Sequence, residues 1–285
     1  MATGMLAWRN HAQEAALSGG SWQTPLANLQ DRFLTRVART IGLDLDTTRF
    51  DVDLGRERTI KLVAIPGHTL SSSARVRIRL YADAAHAVCK RDSGWLDAWP
   101  PVFSTMELEW EDDNWWSGRV LPEDVAGMPH NFIYLPPRQV YCRYLSVEFD
   151  DRTNPEGYLD LSRLFIAGGW QPVFNFSFDG LTLGYESNTY TDSSLSGAKH
   201  FEERPAPRVQ AFRLDFMTRV EGVNKALAMT RALDISGEVF FISDPGNQML
   251  MQQTSFLGRL RELSPLEYVT VGIHGMAYVI EEVVA

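Results

Sequence analysis

The sequence predicts a mainly β protein of two domains with one strong helix. Four stretches alternate apolar and polar residues with a period of two, the pattern of a half-buried strand. Clusters of Gly, Pro, Asn and Asp punctuate those stretches: Pro66-Gly67, Asp92-Ser93-Gly94, Asn154-Pro155-Glu156-Gly157 and Asp244-Pro245-Gly246. A single long internal segment carries the helical period instead. The length of 285 residues fits about two domains at roughly 150 residues each.

The elements follow in chain order. A weak helix is expected near Leu26 to Arg39. Ala74, Val76, Ile78 and Leu80 alternate with Arg75, Arg77, Arg79 and Tyr81. Met106, Leu108 and Trp110 alternate with Glu107, Glu109 and Glu111, which places Trp110 in the core. An arginine face opposite a glutamate face would pair these two strands, at a few tenths to ~1 kcal/mol per charge pair. Two separately solvated faces are the other reading. In Tyr141 to Phe149, Leu145, Val147 and Phe149 share one face, as do Phe212, Leu214 and Phe216 further on. Thr218 to Glu221 has the form of a capping box. Val220, Val223, Leu227 and Thr230 follow at helical spacing, widened by Ala226, Met229 and Leu233, which gives a helix over 218–234. Glu238 to Ser243, Leu266 to Val271 and Met276 to Val284 are further strand candidates.

Ala167-Gly168-Gly169-Trp170-Gln171-Pro172 closes the first strand-rich block. We therefore expect an N-terminal segment over 1–17, a β domain over 18–170 and a second β-rich α+β domain over 171–285. The polar stretch from Ser187 to Ala198 reads as a long loop.

Composition excludes several classes. Hydrophobic residues make up 45% and charged residues 22%, ordinary globular values. The longest apolar run falls well short of the ~20 residues of a membrane span. Met1 to Leu17 lacks the continuous apolar stretch of a secretory signal. The net charge of −9 argues against a phosphate-tracking nucleic-acid groove, so no sequence-specific nucleic acid is expected. Cys89 and Cys142 are too few for a disulfide scaffold and read as reduced thiols.

Catalytic and metal signatures are equally sparse. The six histidines, His11, His68, His86, His130, His200 and His274, show no metal-ligand spacing, and no Cys-x-x-Cys occurs. No Gly-x-Ser-x-Gly elbow or phosphate loop is present. Asp150-Asp151 and Glu111-Asp112-Asp113 have the chemistry of hard-cation ligands without the EF-hand pattern, and such pairs in turns are usually just solvated. No catalytic residue, metal or cofactor is expected. The remaining candidates are aromatic. Trp95, Trp99, Trp115 and Trp116 stand beside Asp92, Asp97, Asp112 and Asp113. Core packing or a subunit interface is their first reading. A glycan platform is the second, because flat rings next to carboxylates suit sugars.

Two resemblances add to this. Phe50-Asp51-Val52-Asp53-Leu54-Gly55, followed by Thr59 to Ile65, resembles the middle of a discoidin-type domain. Cys142 to Phe149 and Gly157 to Phe165 resemble its closing region. That resemblance covers about Ser18 to Gly169 and implies a galactose-binding-like jelly-roll sandwich. The end-tying disulfide of extracellular members is missing, and Asp83 to Arg138 is long for a connection in that fold. Over its whole length the chain is similar to minor tail proteins of long-tailed bacteriophages. Ile65 to Ser71, Asp92 to Trp95, Trp110 to Trp116, Leu164 to Gly168, Phe241 to Pro245 and Ser264 to Glu267 carry that similarity. It implies a virion protein of the tail tip, of distal-tail or baseplate type. It further implies a homo-oligomeric ring, a hexamer or trimer, in contact with tail tube and tail hub proteins. A carbohydrate-binding adhesin recognising host surface glycans is the alternative reading, and an enzyme ranks last.

Overall fold

In the computed structural model, residues 3–103, 106–123, 129–177 and 181–284 are described. The chain forms two compact units. One comprises 9–169 with 247–253; the other comprises 1–8, 170–246 and 254–285.

The first unit is a two-sheet sandwich. Its larger sheet is antiparallel, in the order Ala16–Ser18, Phe50–Ile60, Val140–Asp150, Arg75–Tyr81 and Cys89–Asp97. The smaller sheet sets Leu62–Pro66 between Phe165–Ala167 and Asn131–Tyr134. Period-two patterning does what it predicts. Val76, Ile78 and Leu80 are buried, as are Leu145, Val147 and Phe149 on the neighbouring strand. They meet Val63, Ile65, Phe132 and Ile166 of the smaller sheet in one continuous core. Two antiparallel sheets packed over one core are the architecture that the discoidin resemblance implied.

Several expectations fail within this unit. Met106 to Glu111 is a run of turns and not a strand, and Trp110 is 68% exposed. Asp112 accepts the Glu109 N–H at 2.8 Å and closes a local turn, a bond available without any sheet. The arginine face therefore finds other partners. Arg75 pairs with Asp150, Arg77 with Asp92, and Arg79 with Glu148. The Leu26 to Arg39 segment holds a short 3-10 turn, Leu26–Gln30, and the bridge strand Ala38–Arg39 in place of a helix.

The second unit is built on a sheet in the order Met5–Ala7, Glu238–Ile242, Phe256–Leu260, Ile273–Glu282, Arg208–Thr218 and Thr182–Tyr185. Glu267–Thr270 pairs with one end of Ile273–Glu282. Phe212 and Leu214 point into the core as expected, but Phe216 does not. A bulge between Leu214 and Met217 shifts the register, so Met217 is buried and Phe216 is exposed.

The helix runs from Arg219 to Leu233, with its middle, Gly222–Leu227, wound in π fashion. Thr218 caps it by accepting the Glu221 N–H. Glu221 does not return to the cap. It is buried and accepts the Trp170 indole N–H at 3.2 Å and the Val173 N–H at 3.1 Å. The buried face runs through Gly222, Ala226, Met229 and Leu233, while Val220, Val223 and Leu227 are exposed. The polar stretch at Ser187 to Ala198 is loop only in part. It contributes to a hairpin, Tyr190–Ser193 with Lys199–Glu202, exposed along both strands. Among the described residues, no helix is long and apolar enough to cross a membrane.

Candidate functional site

The sandwich unit carries a cleft of about 450 Å³ between two loops at one end of the sheets. The first loop, 67–73, follows the strand Leu62–Pro66. Gly67 turns the chain there with φ at +73°, and a Cβ on it would fall 2.6 Å from the Ser162 hydroxyl. The second loop, 151–158, follows the strand Val140–Asp150. Ser71, Ser73, His130, Asn154, Glu156 and Tyr158 line the space between them.

A buried carboxylate joins the loops. Asp151 accepts the Ser71 N–H at 2.9 Å, the Ser71 hydroxyl and the Asn154 amide at 2.8 Å. The same amide donates to the Thr69 carbonyl at 2.9 Å, and the Ser73 and Thr153 hydroxyls meet at 3.0 Å. A carboxylate saturated by donors from both sides is a strong clamp.

The walls and floor are held as firmly. Arg39 grips Asp160 through two bonds at 2.8 and 2.7 Å and lays its guanidinium over the Tyr158 ring, 4.0 Å from the centroid. Beneath the first loop, His68, Trp99 and His130 meet edge to face at 5.2 to 5.8 Å. The Trp99 indole donates to the Leu70 carbonyl at 2.9 Å. His68 accepts the Leu70 N–H on Nδ1, and burial holds its imidazole down at about 3, with His130 adding to the effect. The site therefore presents neutral hydrogen-bonding groups, one carboxylate and one aromatic face on a rigid base. Hydroxyls, amides and a ring edge in that mixture are the groups that read a polyhydroxylated ligand.

The sequence-nominated aromatics do not line this cleft. Trp99 is fully buried, which fits the core packing of its first reading and corrects its nomination as a glycan platform or interface residue. Trp95 lies on the strand Cys89–Asp97, with the Arg75 and Arg77 guanidiniums 5.8 and 6.0 Å from its ring. Trp115 and Trp116 cluster with Trp110 at the surface. Asp53 accepts the Gly55 N–H and two bonds from Arg143, which holds its carboxyl below the usual range. His274 is buried against Tyr268.

The Asp150-Asp151 pair is occupied by the protein itself. Asp150 binds Arg75 and Arg152, and Asp151 forms the clamp. Among the described residues, no three His, Cys, Asp or Glu side chains are grouped to hold a metal ion. The cleft residues were visible in the sequence only as punctuation. Pro66-Gly67 and Asn154-Pro155-Glu156-Gly157 mark its loops, and Asp150-Asp151 marks the clamp.

No family model and no curated protein matches the chain. Solved structures with similar folds include the lectin domain of lectinolysin complexed with Lewis B antigen, at 14% identity and TM-score 0.36, over 55% of this chain and 95% of that one. CBM32-1 from a family 31 glycoside hydrolase of Clostridium perfringens matches at 14% identity and TM-score 0.34, over 56% of this chain and 98% of that one. A Ruminococcus gnavus GH29 fucosidase in complex with fucose matches at 9% identity and TM-score 0.37, with only 27% of its own length covered.

Proposed function

We propose that the chain is a glycan-binding protein whose sugar site is the cleft between loops 67–73 and 151–158. The observation that carries this reading is the clamp itself. Asp151 and Asn154 hold Thr69 and Ser71 against the second loop, so Ser73, Glu156 and Tyr158 stand around the opening on a prepaid scaffold. Tyr158 offers a ring for the apolar face of a pyranose, and Glu156 accepts from vicinal hydroxyls. The role proposed for it is binding: the Ser71 hydroxyl and N–H and the Asn154 amide all donate to Asp151, which fixes the two loops.

Immobilised neutral oligosaccharides test this by array, followed by calorimetry on the best ligand. Tyr158→Ala and Glu156→Gln should each weaken binding at least tenfold, on the order of 1.4 kcal/mol. Binding that survives both changes, or an array with no ligand, rejects the cleft.

A second reading is favoured by a different surface. In the second unit, the edge strand Thr182–Tyr185 and the hairpin Tyr190–Glu202 expose Leu183, Tyr185, Tyr190, Leu195 and Phe201. An open sheet edge with apolar side chains is a place for a neighbour's strand to join. This supports self-association through the second unit, the contact that a ring at the tip of a phage tail, against tail tube and hub proteins, would use. Negative-stain microscopy of the purified protein checks it. Rings that vanish on removal of residues 187–204 support this reading, and rings that persist reject it.

A further inference from the structure

The sandwich unit bears two surface features that neither reading uses. The first is a knob of tryptophans. Trp110, Trp115 and Trp116 pack against one another with ring centroids 4.7 to 5.8 Å apart and planes 60° to 89° from parallel. Rings interlocked this way make a projection and not one flat sugar platform. Trp116 is 80% exposed and Trp110 68%. The stretch from Ala98 to Gly118 contains no lysine or arginine, and Glu107, Glu109, Glu111, Asp112 and Asp113 are all exposed within it. Its base is tied to the edge strand Cys89–Asp97 by the Arg119–Asp97 ion pair and is closed on itself by Val102 and Phe103 donating to the Gly118 carbonyl.

The second feature is its chemical opposite. Arg9 leads into the 3-10 turn His11–Glu14, which packs on the strand Phe50–Ile60 that carries Arg56 and Arg58. Burial and the charges of Arg58, Arg9 and Arg56, against Glu14, hold the His11 imidazole down at about 4. Among the described residues, none of these three arginines has a carboxylate within ion-pair reach. Arg39, Arg75, Arg77, Arg79 and Arg143 all have one. In the sheet, two strands stand between Phe50–Ile60 and Cys89–Asp97, although the long Lys90 side chain reaches Glu57 at 3.5 Å.

We propose that the tryptophan knob of one copy docks on the Arg9, Arg56 and Arg58 patch of a second copy. Guanidinium groups stack on indole faces and bind carboxylates in the same contact, which is what this pair of surfaces offers. The fold already uses that chemistry, with Arg75 and Arg77 at Trp95 and Arg39 over Tyr158. Because knob and patch are different surfaces of one copy, the contact is head-to-tail, and a dimer keeps one free knob and one free patch. This inference does not depend on the glycan site.

Sedimentation velocity on the full chain tests it, across a concentration series at about 50 mM and about 500 mM salt. The wild type should associate with rising concentration at low salt and dissociate at high salt. Glu109→Lys with Glu111→Lys should sediment as a monomer, as should Arg56→Glu with Arg58→Glu, and an equimolar mixture of the two variants should associate again. Trp110→Ala with Trp116→Ala removes the knob without changing charge and should also be monomeric. Glu109, Glu111, Arg56, Trp110 and Trp116 are exposed and Arg58 is half-buried, and circular dichroism confirms that each variant is folded. Tyr158→Ala should associate like the wild type, which separates this result from that of the glycan reading. A monomeric wild type at every low-salt concentration overturns the proposal. So does undiminished association of the tryptophan variant, or association that resists salt and is lost only when the hairpin at 187–204 is removed.

Discussion

Replacing Trp99 distinguishes a core tryptophan from a ligand platform in one measurement. The side chain is fully buried, meets His68 and His130 edge to face, and donates to the Leu70 carbonyl. Trp99→Ala removes the whole indole, and truncations of that size cost about 3–5 kcal/mol when the site relaxes only partly. It also leaves the buried Leu70 carbonyl without its donor, a further ~1 kcal/mol. Trp99→Phe keeps most of the volume and loses the N–H, so it should cost about 1–2 kcal/mol. Urea unfolding followed by far-ultraviolet circular dichroism reads both, in the transition that belongs to the sandwich unit. An exposed ring would cost under ~0.5 kcal/mol on truncation. Loss of less than about 1 kcal/mol in Trp99→Ala therefore refutes the core placement. Equal losses in the two variants would refute the division between packing and hydrogen bonding.

Three further outcomes rest on buried groups of the sandwich unit. His68 titrates near 3 when folded and near its ordinary 6.5 when unfolded, so its contribution is complete above pH 6.5. Below that the unfolded chain takes up a proton that the folded chain refuses, and stability falls by up to ~1.4 kcal/mol per pH unit. His11 acts with the same sign. Unfolding free energies between pH 6.5 and 4.5 should show this slope, and His68→Gln should reduce it; an unchanged slope in that variant rejects the account. Cys142 is buried and its thiol is pushed up to about 12, whereas Cys89 is exposed. Ellman's reagent should titrate one thiol in the native protein and both in denaturant, and two fast native thiols would contradict the buried assignment. Asp151→Asn should cost about 2 kcal/mol, because the Ser71 donors lose an ionised acceptor in a buried site. It should also weaken glycan binding, and equal affinity would show that the clamp does not shape the cleft.

The strands Arg75–Tyr81 and Val140–Asp150 were legible because each buries one face, and a period of two follows directly from the pleat. The same rule failed at Met106 to Glu111. There the alternation was present, but a local Asp112 bond closes the segment into turns. At Phe216 the alternation was also genuine, and a bulge reversed the last two residues. The helix was legible through Thr218, but its buried face was displaced. Gly222 sits against Leu266 and His274, and the contacts at Ala226 and Met229 outweigh those open to Val220 and Leu227.

By itself, then, the sequence determined the class of the protein. Its β-rich character, its capped helix and its sandwich signature all rest on contacts between residues close in the chain or on the period of a pleated strand. Tertiary structure alone decided the candidate site. Ser71 and Asp151 are 80 positions apart, and Arg39 and Asp160 are 121. No local pattern encodes such pairs, because side chains that far apart meet only after both sheets have closed over the core. The tryptophans divided for the same reason. Trp99 and Trp116 lie in one short acidic segment and look alike in sequence, but only one of them reaches the buried gap beneath Leu70.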